Sequence, residues 1–403
     1  MACTGYETKV PPLPNAARAL IVLTLARVAM GYQYQSIGST GPDLIHDFGL
    51  SHAEIGWLIG LYASPGVLLA LPSGLLGARF GDRRIVAFGL ALMALGGLLP
   101  AWWQTYTGLA TGRLVSGVGA VLLNVLMTKM VTDWFAGKSL ALAMAIFVNS
   151  YPIGIGLGLV SLGALSVHTS WQIAFVATAA VSFLALAAVA LVYAPHPNDK
   201  FHTQGKALSW HLPAGAMMMV SLAGVIGAFA NGAFSVIVGF LPMLLLAKGL
   251  TATTAGSLAS LITWMSVISV PVGGLLARRL LHPAVLVAIG YVLAAMALLS
   301  LATTSPLVPL LVAGLASGLP VGILMTLPSE TVAEDARGVA MGWFFTWIYV
   351  GLAVLPWIAG WLQDRMDGSA AAIDFAALLY LAVLPLFWLF HAAQYRTAPV
   401  PRS

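Results

Sequence analysis

Charge is what this 403-residue chain has least of: Asp, Glu, Lys and Arg together make up 8% of it. A soluble globular domain carries about 25%, so a surface this poor in charge cannot stay hydrated. A hydrophobic share of 60% excludes disorder as well, because disordered chains are rich in charge and poor in apolar residues. The net charge of +5 is small for the length and gives nucleic acid nothing to bind. One cysteine, Cys3, rules out an intramolecular disulfide. The eight histidines form no pair at metal-binding spacing on one helix, and no activated nucleophile or carboxylate dyad is visible. No metal, no cofactor and no catalysis are therefore expected. The run Ala136-Gly137-Lys138-Ser139 imitates the tail of a nucleotide-binding loop. Thr132 stands where that motif's first glycine belongs and no strand precedes it, so ATP is not the energy source.

What the chain has is length in apolar runs. A helix needs about 20 apolar residues to cross roughly 30 Å of hydrocarbon. Twelve segments qualify, at 17–40, 53–77, 85–103, 108–131, 139–165, 172–194, 213–238, 253–277, 283–301, 306–328, 339–362 and 374–395. Backbone inside a bilayer must satisfy its own hydrogen bonds, which makes these helices. The fold class expected is an all-α membrane protein of twelve spans. Residues 1–16 lack the basic start and small-residue cleavage site of a secretory signal, so the first apolar run reads as an uncleaved span. With the N-terminus in the cytoplasm, that side holds Lys9, Arg18, Arg79, Arg83, Arg84, Lys138, Lys200, Lys206, Arg278, Arg279, Arg337, Arg396 and Arg402. The opposite loops hold Lys248 and Arg365. This asymmetry places both termini inside.

The chain also repeats itself. An offset of 200 positions aligns Pro42 with Pro242, Gly49-Leu50 with Gly249-Leu250 and Gly56 with Gly256. It also aligns Gly74-Leu75-Leu76 with Gly274-Leu275-Leu276, and Arg79 with Arg279. The division that follows is a tail (1–16), a six-helix bundle (17–194), a linker (195–212), a second bundle (213–395) and a tail (396–403). Six spans separate the copies, so both halves have one orientation, as in parallel repeats about an axis along the membrane normal. Such halves leave a single cavity between them near the midplane, the plan of a secondary transporter.

Three stretches resemble motifs of the major facilitator superfamily. Gly74-Leu-Leu-Gly-Ala-Arg79-Phe-Gly81-Asp82-Arg83-Arg84 is similar to its loop between the second and third spans. Arg113-Leu-Val-Ser-Gly117-Val-Gly119-Ala120 is similar to its fourth-span motif, and Asp133-Trp-Phe-Ala-Gly-Lys138 to the link into the fifth. The loop motif usually carries an aspartate before its arginine, where this chain has Ala78. The charge lock between halves that this aspartate implies would then need Asp82 instead. The segments GLSHAEIGWLIGLY and GFLPMLLLAKGLTATTAG resemble the cyanate/nitroimidazole branch. The resemblance implies a monomer in the cell inner membrane, rocking by alternating access. It makes Gly74, Arg79, Gly81, Asp82, Arg83, Arg113, Gly117, Asp133 and Arg279 structural or gating residues.

Arg27 is the candidate that matters most. It falls about halfway along the first span, where an arginine costs roughly 2.5–3.5 kcal/mol to insert. The carboxylates Asp43, Asp47, Asp133, Glu330 and Asp374 all fall in loops or at span ends. A buried, unneutralised guanidinium is suited to an anion, because its planar fork grips two oxygens at once. The bland reading is that Arg27 snorkels or bonds to backbone. Gly31, Tyr34 and Gln35 share its side of the span, and the repeat brings Asn231 and Phe234 opposite. Gln35 and Asn231 read equally well as pocket donors or as bridges between helices. Asn124, Asn149, Tyr151, Trp264 and Trp343 complete the expected pocket. Lys129 is expected to reach interfacial water. Pro152 with Gly154, Gly156 and Gly158 reads as close packing, with a hinge as the alternative. Ser51 with Glu54 fits a helix-capping box.

These residues point to a carrier of a small anion, working by exchange, facilitated diffusion or symport of a protonated substrate. Export of neutral or amphipathic compounds is the alternative, suited by Met217, Met218 and Met219 in the seventh span. A non-transporting membrane receptor or scaffold is disfavoured by the symmetric halves.

Overall fold

The computed structural model describes residues 13–136, 139–194, 212–332, 336–366, 368 and 370–397. Most of the 195–212 linker, nearly all of the N-terminal tail and most of the C-terminal one lie outside the described residues, as do Lys9, Lys138, Lys200, Lys206 and Arg402. The described residues are helical throughout, with no strand among them.

The first half holds α1 (Leu13–Tyr34) and α2 (Ser36–Phe48), which stack as span 1. Span 2 is α3 (His52–Leu61) followed by α4 (Gly66–Phe80). Spans 3 to 6 are single helices: α5 (Asp82–Trp102), α6 (Tyr106–Trp134), α7 (Leu140–His168) and α8 (Trp171–Leu191). The second half begins with α9 (Ala214–Ala247), α10 (Ala252–Arg279) and α11 (Pro283–Ser300), which are spans 7 to 9. Span 10 is broken into α12 (Leu307–Gly318) and α13 (Val321–Thr326). Span 11 is α14 (Arg337–Arg365) and span 12 is α15 (Ala371–Thr397). Eleven of these spans are long and apolar enough to cross a membrane, and span 1 is the exception. Its Arg18, Arg27, Gln33 and Gln35 dilute its hydropathy, yet it is walled in by its neighbours, with Ala26, Ala29 and Ile37 at 0% exposure.

Spans 1 and 2 differ from a plain reading of their apolar runs, as the broken span 10 does. The first does not end near residue 40 but stays helical to Phe48, where Gly49 adopts φ 65°. Only glycine takes that left-handed conformation without strain. Span 2 is interrupted between Leu61 and Gly66 because Pro65 has no N–H to give to Leu61. The local bonds tighten instead, with Ala63 N donating to Gly60 O at 2.9 Å and Gly66 N to Ala63 O at 2.9 Å. The hydroxyl of Ser64 takes over the Leu61 carbonyl at 3.0 Å.

The repeat is written into the backbone. Gly249, 200 positions beyond Gly49, is also left-handed at φ 83°. Ser51 caps α3 as a full capping box with Glu54, and Thr251 caps α10 by accepting from Thr254 N. The repeat also governs how the halves meet. A side chain on Gly56 would overlap the Pro356 carbonyl of α14, and one on Gly256 the Leu159 carbonyl of α7. Span 2 therefore meets span 11, and span 8 meets span 5, as two equivalent seams. Gly60 against Ala353 and Gly360 against His52 extend the first seam. Small residues let these backbones touch, which is what drives helix association in lipid.

The seam gives a contrast to measure. Gly56→Leu forces a side chain between α3 and α14, and Gly74→Leu enters a space with nothing within 4 Å. The first is expected to lower stability by about 1–3 kcal/mol through overpacking, and the second by less than about 0.5 kcal/mol. Thermal unfolding of both variants in one detergent checks the difference.

Candidate functional site

Arg27 lies on α1, facing the interior of the first half and partly buried. Its Nη1 donates to Asn124 Oδ1 of α6 at 2.7 Å. Its guanidinium sits 4.6 Å from the centre of the Phe147 ring and 6.0 Å from that of Tyr151, both on α7. Its Nε is buried with no hydrogen-bond partner. The ion pairs among the described residues join His46, His52 and Lys129 to aspartates, and none reaches Arg27. This is a cation with one neutral oxygen, two aromatic faces and donors to spare. Asn124 passes the contact on, its Nδ2 donating to the Tyr349 hydroxyl of α14 at 3.1 Å. One side chain thus joins the cation of the first half to the second half.

Next to this layer lies a small cavity of about 30 Å³ lined by Met30, Tyr34, Tyr62, Ala63, Ala120, Val121, Tyr151, Tyr349 and Leu352. That volume suits a water molecule or two and is far below the roughly 300 Å³ of an ordinary ligand pocket, so the site is contracted. Four tyrosines dominate its wall. Tyr34 stands edge-on to Tyr62 with centroids 5.6 Å apart, and 6.0 Å from Tyr151. The Tyr34 hydroxyl meets Ser235 of α9 at 2.5 Å, and Tyr62 donates to Met30 O at 3.1 Å. Arg27, Asn124 and Phe147 each sit three or four residues from Met30, Ala120 or Tyr151 on the same helix. The cation and the tyrosines therefore form two layers about one helical turn, or 5 Å, apart.

Arg113 shows the opposite solution to the same problem. It is 2% exposed on α6. Its Nε donates to Leu58 O at 3.0 Å, and its Nη1 to Gln33 O at 3.1 Å and Ser36 Oγ at 3.2 Å. Its Nη2 donates to Tyr34 O at 3.2 Å and Ile59 O at 3.5 Å. Those carbonyls belong to the C-terminal turns of α1 and α3, where free carbonyls and the helix dipole favour a cation. The Tyr62 ring covers the guanidinium at 4.5 Å. Gly117, one turn along, would collide with the Tyr62 carbonyl if it bore a side chain. The Arg-Gly spacing thus lets α6 press against the interruption in span 2 and fill its unpaired acceptors.

The sequence profile of the Major Facilitator Superfamily matches residues 23–356 and 226–402. The chain belongs to the Major Facilitator Superfamily. It is similar to the lysosomal dipeptide transporter MFSD1 of Bos taurus, at 23% identity over 96% of this chain and 90% of that one. The inner membrane transport protein YajR of Escherichia coli is 30% identical over 33% of this chain and 30% of its own. Among solved structures, a bacterial homologue of the human lysosomal transporter Spinster, inward-facing and occupied, superposes with a TM-score of 0.76. It is 15% identical and covers 97% of this chain and 100% of its own. A D-xylose–proton symporter gives 0.72 at 16% identity, covering 96% and 98%. The fold is that of this superfamily, and the chain is a multi-pass membrane transporter of small solutes rather than an enzyme.

The superfamily's loop motif is built differently here from the inter-half lock that its usual aspartate implies. Ala78 and Arg79 are exposed, and the Arg79 guanidinium lies over its neighbour Phe80 at 5.3 Å. Asp82 is 5% exposed at the N-terminus of α5 and pairs with Lys129 of α6, which also bonds Asp133 at 3.1 Å. This lock stays within the first half, and Lys129, expected in interfacial water, is its centre. Gly81 makes the turn at φ 91°, and Arg83 donates to Ala190 O of α8 at 2.6 Å. Gly74 faces open space and Arg279 is exposed.

Of the expected pocket residues, Arg27, Asn124, Tyr34 and Tyr151 come together. Gly31 does not line the cavity; it fits against the Tyr151 backbone of α7, as Gly154 fits against Val28 of α1. Gln35 bridges the halves through Val238 O at 2.9 Å, and Gly158 packs on its side chain. Asn231 bonds Gly227 O of its own helix at 2.9 Å, and Trp343 donates to Ser221 at 2.8 Å. Trp264 packs on Gly156. Phe234 and Asn149 are partly buried outside the cavity lining. Pro152 sits inside α7, which runs unbroken from Leu140 to His168, the arrangement of packing rather than of a broken hinge.

Sequence reading missed Tyr62 and Tyr349, whose only signal was a hydroxyl deep in an apolar run. It also missed the latch at the α2–α3 end. There Asp364 of α14 accepts from His52 N at 2.9 Å and Ala53 N at 2.8 Å, and meets His52 Nδ1 at 2.8 Å.

Substitutions at two positions, Arg113 and Asp364, test these assignments. Arg113→Ala leaves four buried carbonyls and a hydroxyl without their donor, an expected loss above about 3 kcal/mol, and Arg113→Lys recovers a minor part of it. Thermal unfolding of the purified variants is the check. Asp364→Ala costs about 1 kcal/mol or less, because the latch is partly exposed. Its expected effect is faster thiol labelling of a cysteine introduced at Ala353.

Proposed function

We propose that this transporter carries a small organic or inorganic anion, held at Arg27 and moved by rocking of the two halves. The observation that carries this reading is a guanidinium inside the first half, linked to the second through Asn124, with an unpartnered Nε and, among the described residues, no carboxylate bonded to it. A cation so placed costs energy unless something of opposite charge visits it. Asn124 would position the guanidinium, and Tyr34, Tyr151 and Tyr349 would surround the guest. The dipeptide transport of MFSD1 is compatible, since a peptide ends in a carboxylate. The basic loops favour cytoplasmic termini in a cell inner membrane, which makes the α2–α3 end the outer one. That end is closed by the glycine seams, and the chain would work as a monomer. Among the described residues no carboxylate pairs with Arg27 to relay a proton, so exchange, facilitated diffusion or entry with a protonated substrate are the coupling modes proposed.

The test is flux of a labelled anion into proteoliposomes, together with thermal shift by a panel of small anions. Charge-assisted bonds contribute about 1.5–3 kcal/mol each. Arg27→Ala is therefore expected to weaken anion binding at least tenfold. Arg27→Lys is expected to fall between, keeping the charge and losing the two-pronged geometry. Unchanged anion affinity and transport in Arg27→Ala would overturn the assignment. Equal competition by neutral compounds would point instead to export of uncharged amphipathic molecules.

A further inference from the structure

We infer that the transported anion is an organic carboxylate with an apolar or aromatic body about one helical turn from its charge; this rests on the reading of Arg27 as the anion site. Three features of the cavity carry it. The first is where the polar atoms of its wall point. The hydroxyl of Tyr34 is engaged by Ser235, that of Tyr62 donates to the Met30 carbonyl and that of Tyr349 accepts from Asn124, which leaves the Tyr151 hydroxyl as the one polar group of the wall without a hydrogen bond among the described residues. Met30, Ala63, Ala120, Val121 and Leu352 offer only hydrocarbon or thioether. A sugar-like body entering this layer would leave its water behind and find the Tyr151 hydroxyl but few partners for its other hydroxyls, a cost that polar groups meet wherever they are buried without partners. A site built this way disfavours polyols by leaving most of their hydroxyls unbonded.

The second feature is spacing. The Arg27–Asn124–Phe147 layer and the tyrosine layer are about 5 Å apart along the spans. An ion as short as cyanate or acetate would satisfy the first layer and leave the second empty. A carboxylate carried on two or three carbons from a ring or branched chain would fill both, with the ring among aromatic faces that favour offset and edge-on contacts.

The third feature is where the cavity can grow. Of its nine lining residues, Tyr349 and Leu352 belong to α14 and the other seven to the first half. Movement of span 11 away from the first half would widen the tyrosine layer while Arg27 and Asn124 keep their relation on α1 and α6. The head-group site would persist through the cycle, and the body site would open and close around the guest.

The experiment uses the full chain purified in detergent and four probes: 3-phenylpropionate, its uncharged analogue 3-phenylpropanol, gluconate and acetate. Thermal shift and equilibrium competition are read on the unmodified protein and on Arg27→Ala. The expected result is that 3-phenylpropionate binds at least tenfold more tightly than gluconate, acetate or the alcohol, and that Arg27→Ala removes this advantage. Gluconate or acetate binding as tightly as 3-phenylpropionate, with both still dependent on Arg27, would overturn the apolar body and leave the anion site standing. If the alcohol matches the carboxylate and Arg27→Ala changes neither, the anion site itself fails. If none of the four binds, the apolar-body inference is overturned as well.

Discussion

Hydrocarbon offers a guanidinium nothing to bond, and the core of this molecule is arranged around that constraint. Two arginines lie deep in the first half and the chain treats them oppositely. Arg113 gives hydrogen bonds to four carbonyls and one hydroxyl and has a tyrosine face over it. Arg27 has one amide oxygen, two aromatic rings and a bare Nε. The first arrangement is complete and reads as scaffold. The second is incomplete in a way that a ligand can finish. The same residue type thus meets hydrocarbon in two ways within one half.

The two arginines also explain why the helices beside them look as they do. Interruptions in spans 1 and 2 release backbone carbonyls that only a cation or water could satisfy, and Arg113 collects them. That collection anchors Tyr34 and Tyr62 at the break, and both then line the cavity. Between the halves, backbone comes against backbone at Gly56, Gly60, Gly256 and Gly360. Among the described residues the polar links across it include Tyr34 to Ser235, Gln35 to Val238, Asn124 to Tyr349 and Asp364 to His52. An interface joined in this way is suited to a pair of bodies that must part and rejoin.

Much of the fold was legible because its signals are local or periodic. Apolar runs gave the spans, the 200-residue offset gave the symmetry, and the left-handed glycines at 49 and 249 bear that offset out in the backbone. Glu54 was legible as a cap because its partner is three residues away. The site was harder because its contacts are distant in sequence. Lys129 reaches Asp82 across 47 residues, and His52 meets Asp364 across 312. No spacing rule announces either. Arg27 stood out by charge and Asn124 by polarity in a greasy span. Tyr62 and Tyr349 did not, since tyrosines are common inside such bundles. Gly31 misled for a physical reason: sharing a helix side with Arg27 does not say whether the neighbour there is a cavity or another backbone.

Pro65 and Arg113 illustrate a dependence between positions that no single-site comparison would expose. The proline withholds one donor, the turn before it re-pairs, and the carbonyls left over are those the arginine takes. The proline's own orphan, the Leu61 carbonyl, goes to the Ser64 hydroxyl, while the tightened turn leaves Leu58 and Ile59 to the arginine. Over evolutionary time the two should be retained or lost together, although they lie on different helices and never exchange a hydrogen bond.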